Sequence, residues 1–486
     1  MSAAEQNKRR WLHAVLVTVF VVGAIWFVVH VRHSSKKDYV NQFQGPLSGN
    51  PYPRSILHAA NQLMTLDPSG KFLINSNTNQ PVFIQGDSAW SLQVQLSDTD
   101  IQSYLSDRAS RGFNVVLVDL ADNFYSDHPP QDFYGNVPFN GADFTNENPA
   151  YWNRVDQTLA WAAGLGITIL ADPAFVGYGC KEGYCESYRK SSTDILAAYG
   201  KFLGNRYKGF SNIIWLIGGD ADPADGNVLS KLDALANGIK SADTVHLMST
   251  ENYRGTSSKD IWSGSSWLNL NGLYLQPSGI PTKANADFIA GTYPMFMVED
   301  WYEGEHSITE LEVRKEGYWA VLSGCIVGRM FGNYALWNFS SRQNTTDPWK
   351  SQLGSTGSLG QSWLGKLFRS REHWILVPDI NHSVITAGFG SGSTLSVAAR
   401  TSDGQTIVAY VPSGNAATIT VDMSKVNDSE SRAKCWWFNP RDGSSILIGN
   451  YVSNGTRNFT PPDANDWVLV LDSLGAKLSA PGSEDL

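Results

Sequence analysis

The sequence predicts an α/β protein: a (β/α)8 TIM barrel, followed by an antiparallel β-sandwich and preceded by a transmembrane helix. Three observations predict this architecture. Short apolar runs alternate with longer amphipathic segments over most of the chain, the C-terminal part contains short alternating strands alone, and the N-terminal part contains one long uncharged apolar run. These patterns divide the 486 residues into a tail and anchor (1–37), a linker (38–64), a barrel (65–375), a sandwich (376–476) and a tail (477–486).

The N-terminal apolar run predicts a helix that crosses a membrane once. Residues 11–31 contain no Asp, Glu, Lys or Arg, and a helix of that length spans roughly 30 Å, the hydrocarbon thickness of a bilayer. A cleavable signal peptide usually has a shorter apolar region and small residues at its cleavage site, whereas bulky Trp26 and Phe27 stand near the end of this run. We therefore expect an uncleaved signal-anchor. Basic residues flank the run on both sides, so the flanking charges do not decide its orientation.

The acidic balance of the chain argues against nucleic acid as a partner. The chain has 46 acidic and 37 basic residues and a formal net charge of −9, and such a surface repels phosphate backbones. Sequons that permit glycosylation in a secretory compartment begin at Asn338, Asn344, Asn381, Asn427, Asn454 and Asn458. We expect the bulk of the chain to lie outside the cytosol or in the lumen of the secretory pathway. The sequence leaves the oligomeric state open.

The four cysteines indicate at most one small disulfide and no metal site. Cys180 and Cys185 bracket a short loop and are close enough in sequence to pair. Cys325 and Cys435 lie in apolar segments, which favours buried thiols. No Cys/His spacing typical of metal binding occurs, so we expect neither a metal nor another cofactor.

Eight apolar runs predict the strands of the barrel. They lie at residues 81–87, 113–122, 166–175, 212–220, 246–252, 270–276, 294–300 and 325–339. Segments between them, such as 98–112 and 151–166, have the apolar spacing of amphipathic helices. Eight strand–helix units suit a closed (β/α)8 barrel. An open doubly wound sheet is the alternative, although no glycine-rich phosphate loop follows the first strand.

The residues after 375 predict a second, all-β domain. Stretches such as TLSVAARTSDGQTIVAYVPSG (394–414) and NDWVLVLD (465–472) alternate apolar and polar residues between turn pairs. Because no helical pattern intervenes, we expect an antiparallel β-sandwich.

Acidic residues end most of the predicted barrel strands. They are Asp87, Asp119, Asp122, Asp172, Asp220, Glu251, Glu299 and Asp300. In a barrel these positions share the C-terminal rim, where active sites are built. Like charges crowded at one rim weaken folding unless something uses them, although helix caps and loop ion pairs would account for part of the set. In NIIWLIGGDADP (212–223) two glycines precede Asp220, and they let its carboxyl group turn into a cleft.

Aromatic residues beside these acids favour a glycosidase. Trp90, Trp301, Tyr334 and Trp337 follow or lie in the first, seventh and eighth predicted strands, and flat apolar sugar faces stack on such rings. Glycoside hydrolysis needs a carboxylic acid that protonates the leaving oxygen and a carboxylate that attacks or stabilises the oxocarbenium-like centre. The two groups must differ in pKa, which burial and mutual repulsion can arrange. We therefore expect an oligo- or polysaccharide substrate.

Several segments carry a family resemblance: GKFLINSNTNQPVFIQGDSAW (70–90), NIIWLIGGDADP (212–223), MFMVEDWYEGE (295–305) and GYWAVLSGCIVGRMFGNYALWNF (317–339). They resemble glycoside hydrolase family 140, also called domain of unknown function 4038, the apiosidase-like catalytic domain. CWWFNPRDGSS (435–445) and NDWVLVLD (465–472) are similar to a domain named for collagen binding that commonly follows it. The resemblance covers residues 65–475.

The resemblance implies a retaining glycosidase with Asp220 as the acid/base and Glu299 as the nucleophile. It also implies that Asp87 and Trp90 line the sugar subsite. Tyr302 and Glu303 lie in the matching YEG segment, and we expect Tyr302 to bind substrate as well. The predicted rim position adds further expected substrate-binding residues, namely Asp119, Glu251, Trp301, Tyr334 and Trp337.

Two loops depart from the family pattern, so apiose is not implied as the sugar. STENYRG (249–255) stands where the family often has a His-Pro-Arg-Gly-like segment, and Ala221, Asp222 and Pro223 stand where relatives often carry Arg-Asn-Pro. Both loops would touch substrate, which leaves a related furanoside or another plant or microbial glycan equally open. The alternative function is a catalytically inactive, membrane-anchored glycan-binding or adhesion protein. For the C-terminal domain we expect an accessory sandwich that packs on the barrel.

Overall fold

The computed structural model describes residues 63–340, 348–414, 418–483 and 486. The predicted anchor at residues 11–31 lies outside this part of the chain, as does Asn344. Among the helices that are described, none combines the length and the apolar character that a membrane crossing requires.

Within the described residues, eight parallel strands form the predicted barrel. With the short strands that accompany them, they are β1 (Met64–Leu66), β2 (Leu73–Asn75), β3 (Pro81–Val82), β4 (Ile84–Ser88), β5 (Val115–Asp119), β6 (Thr168–Asp172), β7 (Ile213–Ala221), β8 (Met248–Asn252), β9 (Thr256–Ser257), β10 (Asn271–Tyr274), β11 (Met295–Glu299) and β12 (Gly328–Phe331). The sheet has the order β8-β7-β6-β5-β4-β12-β11-β10-β9. The backbone N–H of Leu270 donates to Met248 O at 3.1 Å, which brings β10 against β8 and nearly closes the barrel.

Helices follow the barrel strands and cover their outer face. They are α1 (Leu92–Gln95), α2 (Asp98–Ser110), α3 (Pro149–Gly164), α4 (Cys185–Lys190), α5 (Thr193–Tyr207), α6 (Val228–Ala242), α7 (Ser258–Trp262), α8 (Ile280–Ala290), α9 (Glu310–Leu322), α10 (Trp349–Gln352) and α11 (Thr356–Arg369). The two helices predicted at 98–112 and 151–166 are confirmed as α2 and α3. Side-chain caps begin them: Ser97 accepts from the backbone N–H of Asp100, and Asn148 accepts from that of Ala150.

The barrel interior is a hydrophobic core. Its buried side chains include Ile84, Val115, Leu117, Leu170, Ile214, Leu216, Phe296, Val298 and Met330. Strands β1 to β3 form a small antiparallel sheet, and Met64 and Leu73 from this sheet belong to the same core. This small sheet is not predicted by the apolar runs, and it covers one end of the barrel.

The C-terminal domain has the antiparallel strands that the sequence predicts. They are β13 (Leu376–Pro378), β14 (Ile385–Ala387), β15 (Val397–Thr401), β16 (Thr406–Val411), β17 (Ile419–Asp422), β18 (Arg432–Phe438), β19 (Ser445–Val452), β20 (Thr456–Phe459) and β21 (Trp467–Ser473). One sheet has the order β13-β15-β16-β21-β18-β19 and the other the order β14-β17-β20. Buried side chains from both sheets form a common core, as in a sandwich.

The larger sheet of the sandwich packs on helices α9 and α11 of the barrel. Buried residues of both domains form one hydrophobic cluster. The rings of Tyr318 and Tyr410 stack with centroids 4.8 Å apart, and Trp319 Nε1 donates to Leu395 O at 2.9 Å. The two domains therefore share a core, and the interface holds them in one arrangement.

Removing one partner of a buried ion pair at this interface should destabilise the whole chain. Arg371 and Asp472 form hydrogen bonds of 2.9 and 2.7 Å, and each side chain is 1% exposed. Asp472→Ala would leave the guanidinium buried without its counter-charge, at a cost of about 3–5 kcal/mol. Urea unfolding of the full chain measures this loss.

The exposed pair of Glu186 and Arg189, 2.8 Å apart, provides the matched control. We expect Glu186→Ala to change the free energy of unfolding by less than about 1 kcal/mol. If Asp472→Ala costs no more than Glu186→Ala, the interface does not depend on this pair.

The structure shows the pairing of the cysteines and the exposure of the sequons. Cys180 and Cys185 form a disulfide, whereas Cys325 and Cys435 are buried free thiols, as expected. Asn338 is 1% exposed, so its sequon is inaccessible in the folded chain. The remaining described sequons begin at exposed residues, namely Asn381, Asn427, Asn454 and Asn458.

Candidate active site

A cavity of about 980 Å³ opens at the carboxyl ends of the barrel strands. Most of the residues predicted for the site line it: Trp90, Asp119, Asp220, Glu299, Trp301, Tyr302, Tyr334 and Trp337. This is the end of the barrel at which (β/α)8 enzymes place their active sites. The structure therefore brings the predicted residues together, except for Asp87 and Glu251.

A bulge in β7 carries Asp220 into the cavity. Gly218 pairs with Glu251 of β8, but the next paired residues are Ala221 and Asn252. The two residues left out of the ladder are Gly219 and Asp220, and an insertion of this kind bends a strand and redirects its side chains. Asp220 has φ of +57°, a left-handed conformation that Asp adopts more readily than most residues.

The two glycines before Asp220 are required by the space around the bulge. Gly218 and Gly219 have φ of +123° and +75°, which favours glycine. A Cβ atom on Gly219 would lie 2.1 Å from the ring of Phe175, and one on Gly218 would lie 2.6 Å from Glu251 O. The backbone therefore approaches its neighbours more closely than any side chain would allow.

Asp220 and Glu299 stand out from the other strand-end acids by their access to the cavity. Each is partly exposed, while all the other residues of β7 and β11 are buried. The other acids of the set, all within the described residues, are 0–3% exposed: Asp87, Asp119, Asp122, Asp172, Glu251 and Asp300. These two carboxyl groups are thus the strand-end acids best placed to reach a bound molecule.

Three acids near the rim stabilise the barrel and its loops. Asp87 does not line the cavity, contrary to its predicted role in the sugar subsite; it accepts from Tyr104 Oη at 2.6 Å and pairs with Arg108 at 3.1 Å. Asp300 pairs with buried Arg329 at 2.7 Å. Glu303 accepts from the backbone N–H of Gly357 at 2.8 Å. These three acids therefore serve as ion-pair partners or loop anchors.

Glu251 also lies behind the cavity wall, against Glu299. The sequence predicts that it contacts substrate, but it is 1% exposed, and its carboxyl group lies against that of Glu299. Burial, followed by the negative charge of Glu299, holds the pKa of Glu251 well above its usual range. The interaction with Glu251 lowers the pKa of Glu299 and so partly offsets the rise that burial causes.

The pKa of Asp220 is raised to about 8. Burial is the largest cause, and the negative charge of Glu299 is the next; the positive charge of Arg254 partly opposes them. Asp220 is therefore protonated at neutral pH. A neutral carboxylic acid and a carboxylate beside it are the two groups that glycoside hydrolysis requires.

Asp119 lines the cavity beside a second buried acid. Strands β5 and β6 pair Asp119 with Asp172. Burial, followed by the charge of Asp172, raises the pKa of Asp119 well above its usual range. Asp119 is the member of this buried pair that lines the cavity.

Aromatic rings form the cavity walls, as the sequence predicts. Trp90 Nε1 donates to Tyr302 Oη at 3.0 Å, which fixes both rings. The rings of Tyr125 and Trp337 meet edge to face with centroids 4.6 Å apart. Flat faces held in this way offer stacking surfaces to a sugar ring.

Several lining residues are not predicted as site residues: Tyr125, Glu182 and Arg254 come from loops, and Tyr274 ends strand β10. Tyr125 donates a hydrogen bond to Glu182, and Glu182 lies in the loop that the Cys180–Cys185 disulfide closes. Arg254 Nη2 donates to Tyr274 Oη at 3.1 Å. Arg254 belongs to the segment 249–255 that departs from the family pattern, which was the available sequence signal for this part of the wall.

The acids of the cavity do not form a metal-binding group. Within the described residues, one cluster has the spacing of a metal site: Cys180, Cys185 and Asp225. Its two cysteines are joined in the disulfide, which leaves Asp225 as a single carboxylate ligand.

Comparison with known proteins relates both domains to described families. Residues 67–375 match the family model described as "Apiosidase-like, catalytic domain", and residues 377–472 match "Putative collagen-binding domain of a collagenase". A search of curated proteins finds no match.

Two solved structures are similar over most of the chain. One is described as a glycoside hydrolase; it has 25% identity and a TM-score of 0.73, covering 85% of this chain and 98% of its own. The other is described as a glycoside hydrolase family 5 protein from Bacteroides vulgatus ATCC 8482; it has 25% identity and a TM-score of 0.73, covering 85% of this chain and 94% of its own. The assignment to glycoside hydrolase family 140 stays a prediction.

Proposed function

The chain belongs to the apiosidase-like catalytic-domain family, and from this premise we propose that it is a retaining glycoside hydrolase acting on an apiose-containing or related furanoside glycan. One observation carries the proposal: Asp220 and Glu299 are the strand-end acids that line the cavity and are partly exposed, whereas Asp119, Asp122 and Asp300 line it but are buried. They arise from the fourth and seventh barrel strands, β7 and β11, and face the same enclosed space.

In the proposed mechanism Asp220 acts first as the acid. Its neutral carboxyl group donates a proton to the glycosidic oxygen while the Glu299 carboxylate attacks the anomeric carbon. The bond to the leaving group breaks, and a glycosyl ester forms on Glu299. Asp220, now ionised, removes a proton from a water molecule that hydrolyses the ester, and Glu299 is released as a carboxylate. Glu251, which lies against Glu299 behind the cavity wall, would hold the Glu299 carboxyl group in place.

The loops that depart from the family pattern line the cavity and would set the sugar specificity. Asp222 follows the bulge of β7, and Tyr253 and Arg254 follow β8. These side chains supply charged and hydroxyl groups to the cavity from loops that depart from the family pattern, so the hydroxyl pattern of the sugar can differ from that of apiose.

A substrate screen with site variants tests the proposed function. Wild-type protein should hydrolyse at least one 4-nitrophenyl glycoside from a set of apiofuranoside, arabinofuranoside, galactofuranoside and common pyranosides. Sugar binding without turnover by the wild type would instead support the glycan-binding alternative. Turnover that neither Asp220→Asn nor Glu299→Gln reduces would reject the proposed site.

The activity should fall at alkaline pH because Asp220 must be protonated. Its pKa of about 8 means that the acid form predominates below that pH and is lost above it. We expect kcat/KM to be steady through neutral pH and to decrease about tenfold per pH unit well above 8. A pH profile on an oligosaccharide measures this limb, and the limb should disappear in Asp220→Asn. An unchanged limb in that variant would assign it to another group.

We further propose that the barrel works outside the cytosol, anchored by the N-terminal run. The Cys180–Cys185 disulfide supports an oxidising compartment. The exposed sequon residues support passage through a secretory compartment.

A further inference from the structure

A second cavity, of about 440 Å³, adjoins the catalytic cavity where the barrel meets the sandwich. Gln276, Ser278 and Trp301 line both cavities, so the two spaces meet at these residues. Sites for small molecules commonly have volumes of ~300–1,000 Å³. We propose that the second cavity binds further sugar residues of the same substrate, so that the enzyme recognises an oligosaccharide chain. This inference rests on the proposed hydrolase function.

Trp301 marks the passage from one cavity to the other. It is the second residue after β11, the strand that ends at Glu299, and its side chain is partly exposed. On the far side Lys315 Nζ lies 5.3 Å from the ring centroid of Trp319, and both residues line the second cavity. Trp319 is 3% exposed, so the partly exposed ring of Trp301 and the partly exposed ammonium group of Lys315 supply the stacking surface and the hydrogen-bond donor that suit a hydroxyl-rich sugar.

The opposite wall of the second cavity comes from the sandwich. Gly392, Ser393 and Leu395 line it, and Leu395 O accepts the hydrogen bond from Trp319 Nε1 at 2.9 Å. Because Leu395 also packs into the hydrophobic cluster that the domains share, this wall is held rigidly against the barrel. The sandwich would therefore complete the substrate site, which gives the accessory domain a function in recognition.

The occupant is inferred from the continuity of the two cavities. A sugar bound between Asp220 and Glu299 continues into a chain, and the second cavity extends the same space beyond Trp301. Gln276, Ser278 and Ser393 are exposed, so their polar groups are available to sugar hydroxyls.

Filling the second cavity tests the inference without touching the catalytic residues. Ser393→Trp places a large ring in the cavity. Ser391→Trp is the matched control, because Ser391 is an exposed serine on the same loop and does not line either cavity. The probes are a 4-nitrophenyl glycoside and an oligosaccharide of two to four residues that ends in the same sugar.

We expect Ser393→Trp to lower kcat/KM for the oligosaccharide about tenfold, mainly by raising KM, since a lost sugar contact of ~1.4 kcal/mol has this effect. Its rate on the 4-nitrophenyl glycoside should stay within about twofold of wild type, and Ser391→Trp should change neither rate. The inference would be overturned if Ser393→Trp kept the wild-type kcat/KM on both probes, or if it lowered kcat/KM by the same factor on both.

Binding measured without turnover separates the inference from the proposed function. Calorimetric titration of Glu299→Gln protein with the oligosaccharide should show about tenfold weaker binding when Ser393→Trp is added. No binding, or binding that Ser393→Trp does not weaken, would contradict a sugar site in the second cavity. If the wild type does not turn over any 4-nitrophenyl glycoside, that result would contradict the hydrolase function and leave the sugar site in the second cavity untouched.

Discussion

Glu299→Gln should reduce turnover by roughly 10⁴-fold or more, because an amide cannot form the glycosyl ester. Glutamine has nearly the same shape as glutamate and can keep a hydrogen bond to Glu251, so the cavity should remain intact. The variant should therefore bind the substrate with an affinity close to that of the wild type. Steady-state kinetics and calorimetric titration of the same preparation measure the two effects.

Glu182→Gln is the control for a change of charge in the cavity. Glu182 also lines the cavity and accepts a hydrogen bond from Tyr125, but it lies on the disulfide-closed loop and not at a strand end. We expect Glu182→Gln to raise KM about tenfold, the effect of one lost substrate-binding contact, and to change kcat less. A larger loss of kcat in Glu182→Gln than in Glu299→Gln would move the nucleophile to the loop.

Asp220→Asn should have an effect that depends on the leaving group. For an oligosaccharide, whose leaving sugar alkoxide needs a proton, kcat/KM should fall by about 10²–10⁴-fold. For a 4-nitrophenyl glycoside the fall should be much smaller, because the nitrophenolate leaves without protonation. The ratio of kcat/KM in Asp220→Asn to that in the wild type, compared between the two substrates, measures the contribution of acid catalysis at Asp220.

Azide provides a second readout of the same variant. A small anion can replace water in the second step without help from a base, so azide should restore turnover of the 4-nitrophenyl glycoside and give a glycosyl azide with retained configuration. An equal loss on both substrates, without rescue by azide, would mean that Asp220 positions the substrate and does not transfer the proton.

The fold was largely predictable because its pattern is local. The alternation of apolar runs with amphipathic segments predicts the parallel strands and the helices α2 and α3, and the loss of helical periodicity after residue 375 predicts the sandwich. The small sheet of β1 to β3 was not predicted, because strands of two or three residues are too short to show a period.

The site was predictable in outline and not in detail. Strand order places every strand-end acid at one rim, but sequence does not show which of them faces a cation. Asp87 forms an ion pair with Arg108, and Glu251 lies against Glu299 behind the cavity wall. Both positions depend on contacts between residues that are distant in sequence. Arg254 and Glu182 reach the cavity from loops, whose paths the apolar pattern does not determine.

Labelling of the nucleophile tests the central claim, that Asp220 and Glu299 act together on one sugar ring. A 2-fluoro glycoside of the sugar found in the screen, with a dinitrophenyl leaving group, should trap the glycosyl ester. Trypsin then releases residues 284–314 as one peptide, and fragmentation should locate the added mass on Glu299. An adduct on another carboxylate, such as Glu182 or Asp119, or no adduct together with inverted product in the NMR spectrum, would contradict the account.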